Sequence, residues 1–325
     1  MPSHTSLKSV SNISDILLSK SLELNLSAHF QWGLLGIGGF FNINVPTSGA
    51  YGGDQSRLRL VTEDSNYTSG RVWEGFRSDW VWETGVEYPY QPIHVSGVWV
   101  NSVFYPTVST TGAYAHHVEY PAGRVVFNSA IATNSTVQAS YSFRYVHFTH
   151  GSVPWWRQVQ TRSLRNDDAH FLTQGSGAWS LLSQNRIQLP AVIVDAAPNC
   201  RTSAVGYELG SMVAIRSQDV MFHILAEEPD TAKNLHDLII SQNEKSIFLF
   251  DVNQVYASGA LPLDSNGTPV SGVMKMYPDL VKENADGGFR SNTLRFARMA
   301  SADSDNPVSI WRASVRATFE TLGDF

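Results

Sequence analysis

"AGRVVFNSAIATNSTVQASYSFRYVHF", residues 122–148, decides what kind of protein this is. Pro121-Ala122-Gly123 predicts a turn, "RVVFNSAI" (124–131) a strand, "ATNS" (132–135) a second turn, and "TVQASYSFRYVHF" (136–148) a long strand. Along that last segment Val137, Ala139, Tyr141, Phe143 and Tyr145 share one face, while Gln138, Ser140, Ser142 and Arg144 share the other. Period-two alternation of this kind marks a sheet with one buried face and one wet face. No side chain in it is arranged for chemistry, so the segment reads as framework.

The same texture extends outward from about Phe41 to His150. "RLRLV" (57–61) alternates, and "VWVNSVFY" (98–105) reads as a hairpin turning at Asn101-Ser102. Short strands at this spacing predict a sandwich-like domain over residues 41–150. Before it, residues 1–40 form an N-terminal helical and Gly-rich segment. Ile13, Ile16, Leu17, Leu24 and Phe30 recur at helical spacing, with Ser11 or Ser14 as cap and "GLLGIGGFF" (33–41) as the stop. "LELNL" (22–26) also alternates like a strand. After it, residues 151–187 gain polarity and lose strand patterning, which predicts a connector with some helix.

Residues 188–325 read as α+β, with one main packing helix on a sheet. "LPAVIVDA" (189–196), "DVMFHILA" (219–226), "SIFLFDV" (246–252), "NTLRFARMAS" and "VSIWRASVRATFETL" are predicted strands. The helix lies in "EPDTAKNLHDLIISQNEK" (228–245): Pro229 in the first turn, Asp230 and Thr231 at the positive end, and Ala232, Leu235, Leu238 and Ile239 as the apolar stripe. The predicted class for the whole chain is therefore α+β.

Bulk properties narrow the function. The 325 residues carry a net charge of −6 with no Lys/Arg-rich tract, which argues against a sequence-reading nucleic-acid binder. Charged residues make up 16% against 42% hydrophobic. That balance fits a surface covered by partners, and equally a β-rich fold whose polar residues are Ser, Thr and Asn. Cys200 is the single cysteine, so no internal disulfide framework exists. The start of the sequence lacks the pattern of a signal peptide, and its longest apolar run, "WGLLGIGGFF" (32–41), is about half of what a membrane helix needs.

The candidates for chemistry are weak. "GLLGIGG" precedes a strand-like segment, not the helix a dinucleotide loop requires. His116-His117 lie on consecutive strand residues, and His147/His150 have no Cys or carboxylate nearby in sequence. "DSNGTP" (264–269) lacks the closing glutamate of a calcium loop and reads as a turn, as does "ENADGGFRSN" (283–292). Cys200 has an adjacent Arg201 and no base. Glu74, Asp79 and Glu83 sit among aromatics, the ingredients of a glycan-cleaving cleft. The same segment, "RVWEGFRSDWVWETG" (71–85), has the composition of an interface. Phe40, Phe41, Trp73, Phe76, Trp80 and Trp82 are the expected assembly contacts, with no catalytic residue, cofactor or metal expected.

Two parts of the chain carry a resemblance. "VEYPAGRVVFNSAIATNSTVQASYSFRYV" (118–146) is similar to strand-turn-strand modules of tailed-bacteriophage virion proteins. The order "LLSQNRIQLPAVIVD", "YELGSM", "DVMFHILAEEPDTAKNLHDLII", "IFLFDVN" resembles the α+β proteins of the phage neck and tail-completion group, including tail terminators. The resemblance implies a structural virion protein, made in the host bacterial cytoplasm. It would form an oligomeric ring of itself, a hexamer or a dodecamer, at the head–tail junction or tail end. Its partners would be neighbouring neck, connector, tail-tube or sheath proteins, with DNA as passive channel content and no membrane. A baseplate, fibre or carbohydrate-binding virion module is the alternative.

Overall fold

A computed structural model of the chain describes residues 18–45, 54–107 except 63, 87 and 89, 111–153, 156, 188–204, 213–260, 262–269, 274–302 and 311–324. Its elements, in order, are α1 (Leu18–Leu35), β1 (Phe40–Ile43), β2 (Arg59–Leu60), β3 (Val72–Glu74), β4 (Gly97–Val100), β5 (Val103–Pro106), β6 (His116–Glu119), β7 (Arg124–Phe127), β8 (Val137–Ala139), β9 (Tyr141–Arg144) and β10 (His147–His150). They continue with β11 (Ala191–Ala196), β12 (Arg201–Ala204), β13 (Val213–Ala226), α2 (Pro229–Ile240), β14 (Ser246–Phe250), α3 (Val252–Ser258), α4 (Tyr277–Leu280), β15 (Arg290–Ala302) and β16 (Trp311–Asp324). The fold is α+β and rich in strand.

The N-terminal half builds three small antiparallel sheets, β2-β3-β7-β6, β5-β4-β8 and the pair β1-β9, around one core. Trp73, Trp80, Val98, Val125, Phe127, Val137 and Tyr141 meet in that core. The β4–β5 hairpin turns where the sequence places it. Asn101 and Ser102 both take positive φ (49° and 69°), the twist a two-residue turn needs between right-twisted strands. Gly123 sits at φ 64°, and a Cβ there would come within 2.4 Å of Ser78 Cα, so the turn before β7 needs glycine on both counts.

The long strand expected over 136–148 is three strands in three sheets. β8 pairs with β4, β9 with β1, and β10 with β11 in the large sheet. Val137, Ala139, Tyr141 and Phe143 are buried as the alternation predicts, while Tyr145 is exposed. Ser142 and Arg144, expected to face water, are buried too. Ser142 Oγ accepts from Ile93 N–H (2.6 Å) and meets Asn42, and the Arg144 guanidinium is held by Asp79 and Glu83. Asp79–Val81 runs along the β9 edge through Val81 N–H to Ser142 O (2.8 Å) and Arg144 N–H to Asp79 O (3.1 Å).

The C-terminal half is one large sheet in the order β10-β11-β13-β16-β15-β14, with β12 also on β13. The fourteen-residue strands β13 and β16 pair along their whole length, Val213↔Asp324 to Ala226↔Trp311. One face is dry. Val220, Phe222, Ile224, Val315, Ala317, Phe319, Leu294 and Phe296 pack beneath α1 and α2. On α2 the buried stripe is Ala232, Leu235 and Ile239, as the spacing predicts. On α1 it is Leu22, Leu26, Phe30 and Leu34, one residue per helical turn; Phe30 is in the expected set, while Leu24 packs against the smaller cluster around Phe250 and Val255. Residues 1–17, with Ile13, Ile16, Leu17 and both predicted caps, lie outside the described residues.

Two consequences concern the expected domain boundaries. α1 and β10 belong to the large sheet's layer, so cuts at 40 and 150 would pass through one packed unit. Phe30 stacks on Phe148 at 5.7 Å and meets Phe222 edge-on at 5.4 Å. The connector expected over 151–187 falls almost wholly outside the described residues, as does "YELGSM". α1 also caps the far edge of the sheet: Asn25 donates to Phe250 O (3.1 Å) and accepts from Phe250 N–H (2.9 Å). A second packing unit, α3, begins at Asp251, whose carboxylate accepts from Asn253 N–H and Gln254 N–H, and ends at Gly259 with φ 67°.

Candidate assembly surface

The residues expected to form an interface divide into two sets. Trp80 is wholly buried and stacks on Tyr141 at 4.2 Å. Its indole N–H donates to Arg77 O (2.7 Å), and Tyr141 Oη donates to Gln55 O (2.9 Å). Trp73 and Phe40 are also buried within the protomer. These three are core residues and not contact residues, a correction with a plain cause. Aromatic-rich segments supply cores as readily as interfaces: Trp73 and Trp80 enter the N-terminal core, and Phe40 packs with Leu35, Val81 and Val86. Phe76 and Trp82 are half-buried, and Phe41 is 49% exposed.

Phe41, one of the expected contacts, belongs to an exposed aromatic surface whose other members, Tyr145, Tyr88 and Tyr90, the sequence did not mark. On β1 it lies 5.4 Å from Phe143 and 5.6 Å from Tyr145, which is 39% exposed. Phe76 closes the group at 6.5 Å from Phe143, with the Arg77 guanidinium 5.8 Å from the Phe143 ring. Across β1, Tyr90 meets Phe40 edge-on at 5.5 Å, and Tyr88 packs over Gly38, where a Cβ would come within 2.6 Å of its ring. Tyr88, Tyr90 and Ile37 are all exposed. β1 pairs only with β9, so among the described residues its other edge has no strand partner. The surface is an open strand edge with exposed aromatic side chains on either side.

A buried ion network braces this edge. Arg144 of β9 donates through Nε to Asp79 Oδ1 (3.1 Å) and through Nη2 to both Glu83 oxygens (2.6 Å each). His147 Nδ1 lies 2.9 Å from Asp79 Oδ2, so the histidine that lacks a carboxylate neighbour in sequence has one in space. Asp79 adopts φ 58°, aiming its carboxylate at both partners. Burial pushes the Asp79 carboxyl upward, yet the His147 hydrogen bond and the Arg144 charge outweigh it and hold it below its usual range. Burial likewise opposes the charge on Arg144, and Glu83 and Asp79 outweigh that, raising its pKa.

These pairings bear on the glycan-cleaving alternative. Glu74 is paired with Arg59, and Asp79 and Glu83 share Arg144. A general acid needs a raised pKa at neutral pH, and Asp79 is displaced the other way. The remaining candidates resolve as local structure. His116 is buried in β6 with Nδ1 2.9 Å from Tyr114 O, and His117 faces Glu119 at 3.4 Å. Asp264 closes a tight turn by accepting from the Asn266 and Thr268 N–H groups. Asn284–Asp286 form a 3-10 turn ending at Gly287, φ 75°. Cys200 is exposed, with Arg216 Nε 2.6 Å from its sulfur.

No protein-family model matches the chain, and no curated protein matches it.

Proposed function

We propose that the chain is a structural subunit of a tailed-bacteriophage virion, closing into a ring at the neck or tail end around the DNA channel. One observation carries the reading: the edge of β1, without a strand partner among the described residues and flanked by exposed Phe41, Tyr145, Tyr88 and Tyr90, on a backbone braced by the Arg144 network. An open edge strand with apolar neighbours is a surface that monomeric proteins blunt with charge, proline or a bulge. Ring subunits must instead present two complementary patches, reused at every step around the axis. The resemblance in residues 118–146 and in the C-terminal element order supports the phage setting.

Native mass measurement and electron microscopy of the full chain test this. A closed sixfold or twelvefold ring that is lost in Phe41→Ser, with the subunit still folded, is the expected result. A monomer at all concentrations overturns it. A carbohydrate-binding virion module is the second reading, favoured by the exposed rings of Tyr88 and Tyr90. Glycan-array binding by a non-ring species distinguishes it.

A further inference from the structure

The large sheet has a second face. Side chains alternate along β13 and β16, so the residues between those packed under the helices point away from them. Near the β12 end this outer face holds a groove of about 600 Å³ that spans β12, β13, β16 and β15. Arg201, Arg298 and Arg316 border it, and Asp219 is the one carboxylate among its lining residues. Three guanidinium groups against one carboxylate is a net positive site on a chain whose overall charge is −6.

The register shows how the space arises. Arg316 lies opposite Ala300, and Arg298 lies opposite Thr318, so the two arginines are diagonal neighbours on adjacent strands. Arg201 lies opposite Ser217 on β13. It is three strand spacings from β15, roughly 14 Å at about 4.8 Å per strand. Ala300, Ala302 and Ser217 are short, which leaves a floor between long cationic walls.

Asp219 is fully occupied. It accepts from Arg316 Nη2 (2.6 Å), Thr318 Oγ1 (2.7 Å) and Asn199 Nδ2 (2.8 Å). Burial acts upward on its carboxyl, but those bonds outweigh it and bring the pKa down to about 2, so it remains an anion that fixes Arg316. Arg201 and Arg298 make no ion pair with any described residue. Glu320, opposite Ser217 and Arg295, is the next carboxylate along β16 and does not line the groove.

We propose that this groove binds phosphate groups, with Arg201 and Arg298, unpaired among the described residues, as donors and Arg316 as a third donor positioned by Asp219. Guanidinium presents paired N–H donors that match two phosphate oxygens, which ammonium cannot do. The site stands independently of the ring reading. The phosphate has two sources with the same chemistry, a nucleic-acid backbone or a small phosphorylated molecule.

Two titrations of the full chain separate them. Pyrophosphate is followed by calorimetry, and a fluorescent DNA duplex of arbitrary sequence is followed by anisotropy at low salt. Arg201→Gln and Arg298→Gln are the test variants, Lys233→Gln on the exposed face of α2 the control, and circular dichroism confirms folding. Each arginine variant weakens binding at least about tenfold while the control does not, since one charge-assisted contact is worth that much. Duplex binding that tightens as salt falls, with the log–log slope reduced in both variants, assigns the backbone as source. Pyrophosphate binding alone assigns a small molecule. Absence of both, or binding indifferent to both substitutions, overturns the proposal.

Discussion

Arg144→Met is the substitution that most directly probes how β9 is held. Methionine reproduces the length of the arginine stem, so packing is nearly conserved and the change is electrostatic. Arg144 is 4% exposed, and its partners Asp79 and Glu83 are 12% and 6% exposed. Removing the cation leaves two buried carboxylates, Asp79 with His147 and Glu83 with only the Trp82 N–H at 3.3 Å among the described residues. Breaking a buried pair in this way costs about 3–5 kcal/mol. The sign with pH follows. In the native chain the Asp79 pKa is depressed, so its contribution is present above the unfolded carboxyl value and is lost as pH falls through the folded one. Without Arg144, Asp79 loses one of the charges that oppose its burial, so its carboxyl rises relative to the native chain, protonation relieves the variant, and the deficit shrinks from pH 7 toward pH 5. Guanidinium unfolding followed by tryptophan fluorescence measures both. Adding Asp79→Asn and Glu83→Gln to Arg144→Met restores most of the loss, because neutral groups need no counter-charge. A deficit under about 1 kcal/mol at pH 7, or one equal at the two pH values, refutes the assignment.

Three further outcomes are expected. Trp80→Ala costs about 3–5 kcal/mol by emptying the N-terminal core, whereas Phe41→Ser changes stability by less than about 1 kcal/mol and acts on assembly; paired melting and native-mass measurements separate them. His29, whose pKa burial and then Lys245 bring down to about 4, stays neutral at pH 7; stability therefore falls as pH drops from 6.5 toward 4, by about 3 kcal/mol in all, and His29→Gln flattens that slope in unfolding curves taken across the window. Asn25→Ala strips the Phe250 backbone of both bonds and costs about 1–3 kcal/mol, with hydrogen exchange rising first at the Phe250 amide.

Local rules served well where local geometry decides. The β4–β5 turn, the α2 stripe from Ala232 to Ile239 and the buried faces of Val137 to Phe143 are all readable from spacing. Period-two alternation states which face a side chain occupies and is silent about which sheet accepts the strand, so β8, β9 and β10 looked continuous. It is equally silent about what lies above a face, and hence Arg144 read as solvent-facing although Asp79 and Glu83 enclose its guanidinium. α3 had a legible signature that the apolar run before it concealed: Asp251 as cap and Gly259 as stop. Trp73 and Trp80 show the limit of composition, since core and interface draw on the same residues. The cationic groove was beyond reach because Arg201, Arg298 and Arg316 come from three strands, brought together only by the register of β13 with β12 and β16.

The two halves are joined by more than one strand of chain. β8, β9 and β10 run consecutively through three sheets. Arg77 donates from the N-terminal half to Leu189 O (2.9 Å) at the entry to β11. The 264–268 turn returns from the C-terminal half to β6, where Gly267 O accepts from Tyr120 N–H (3.1 Å) and Thr268 Oγ1 donates to Val118 O (2.9 Å). A single linker permits hinging, whereas crossings at separate points fix orientation. The β1 edge and the arginine groove are thereby mounted on one frame, the first on the β9 sheet and the second on the outer face of the large sheet. Were the proposed ring to form, such a frame would hold the angle between contact patches, because an error in that angle accumulates around a ring and prevents closure. The buried charges of Asp79, Glu83 and Arg144 sit where β9 leaves one sheet for the next, and so brace the junction between the β1–β9 pair and the large sheet.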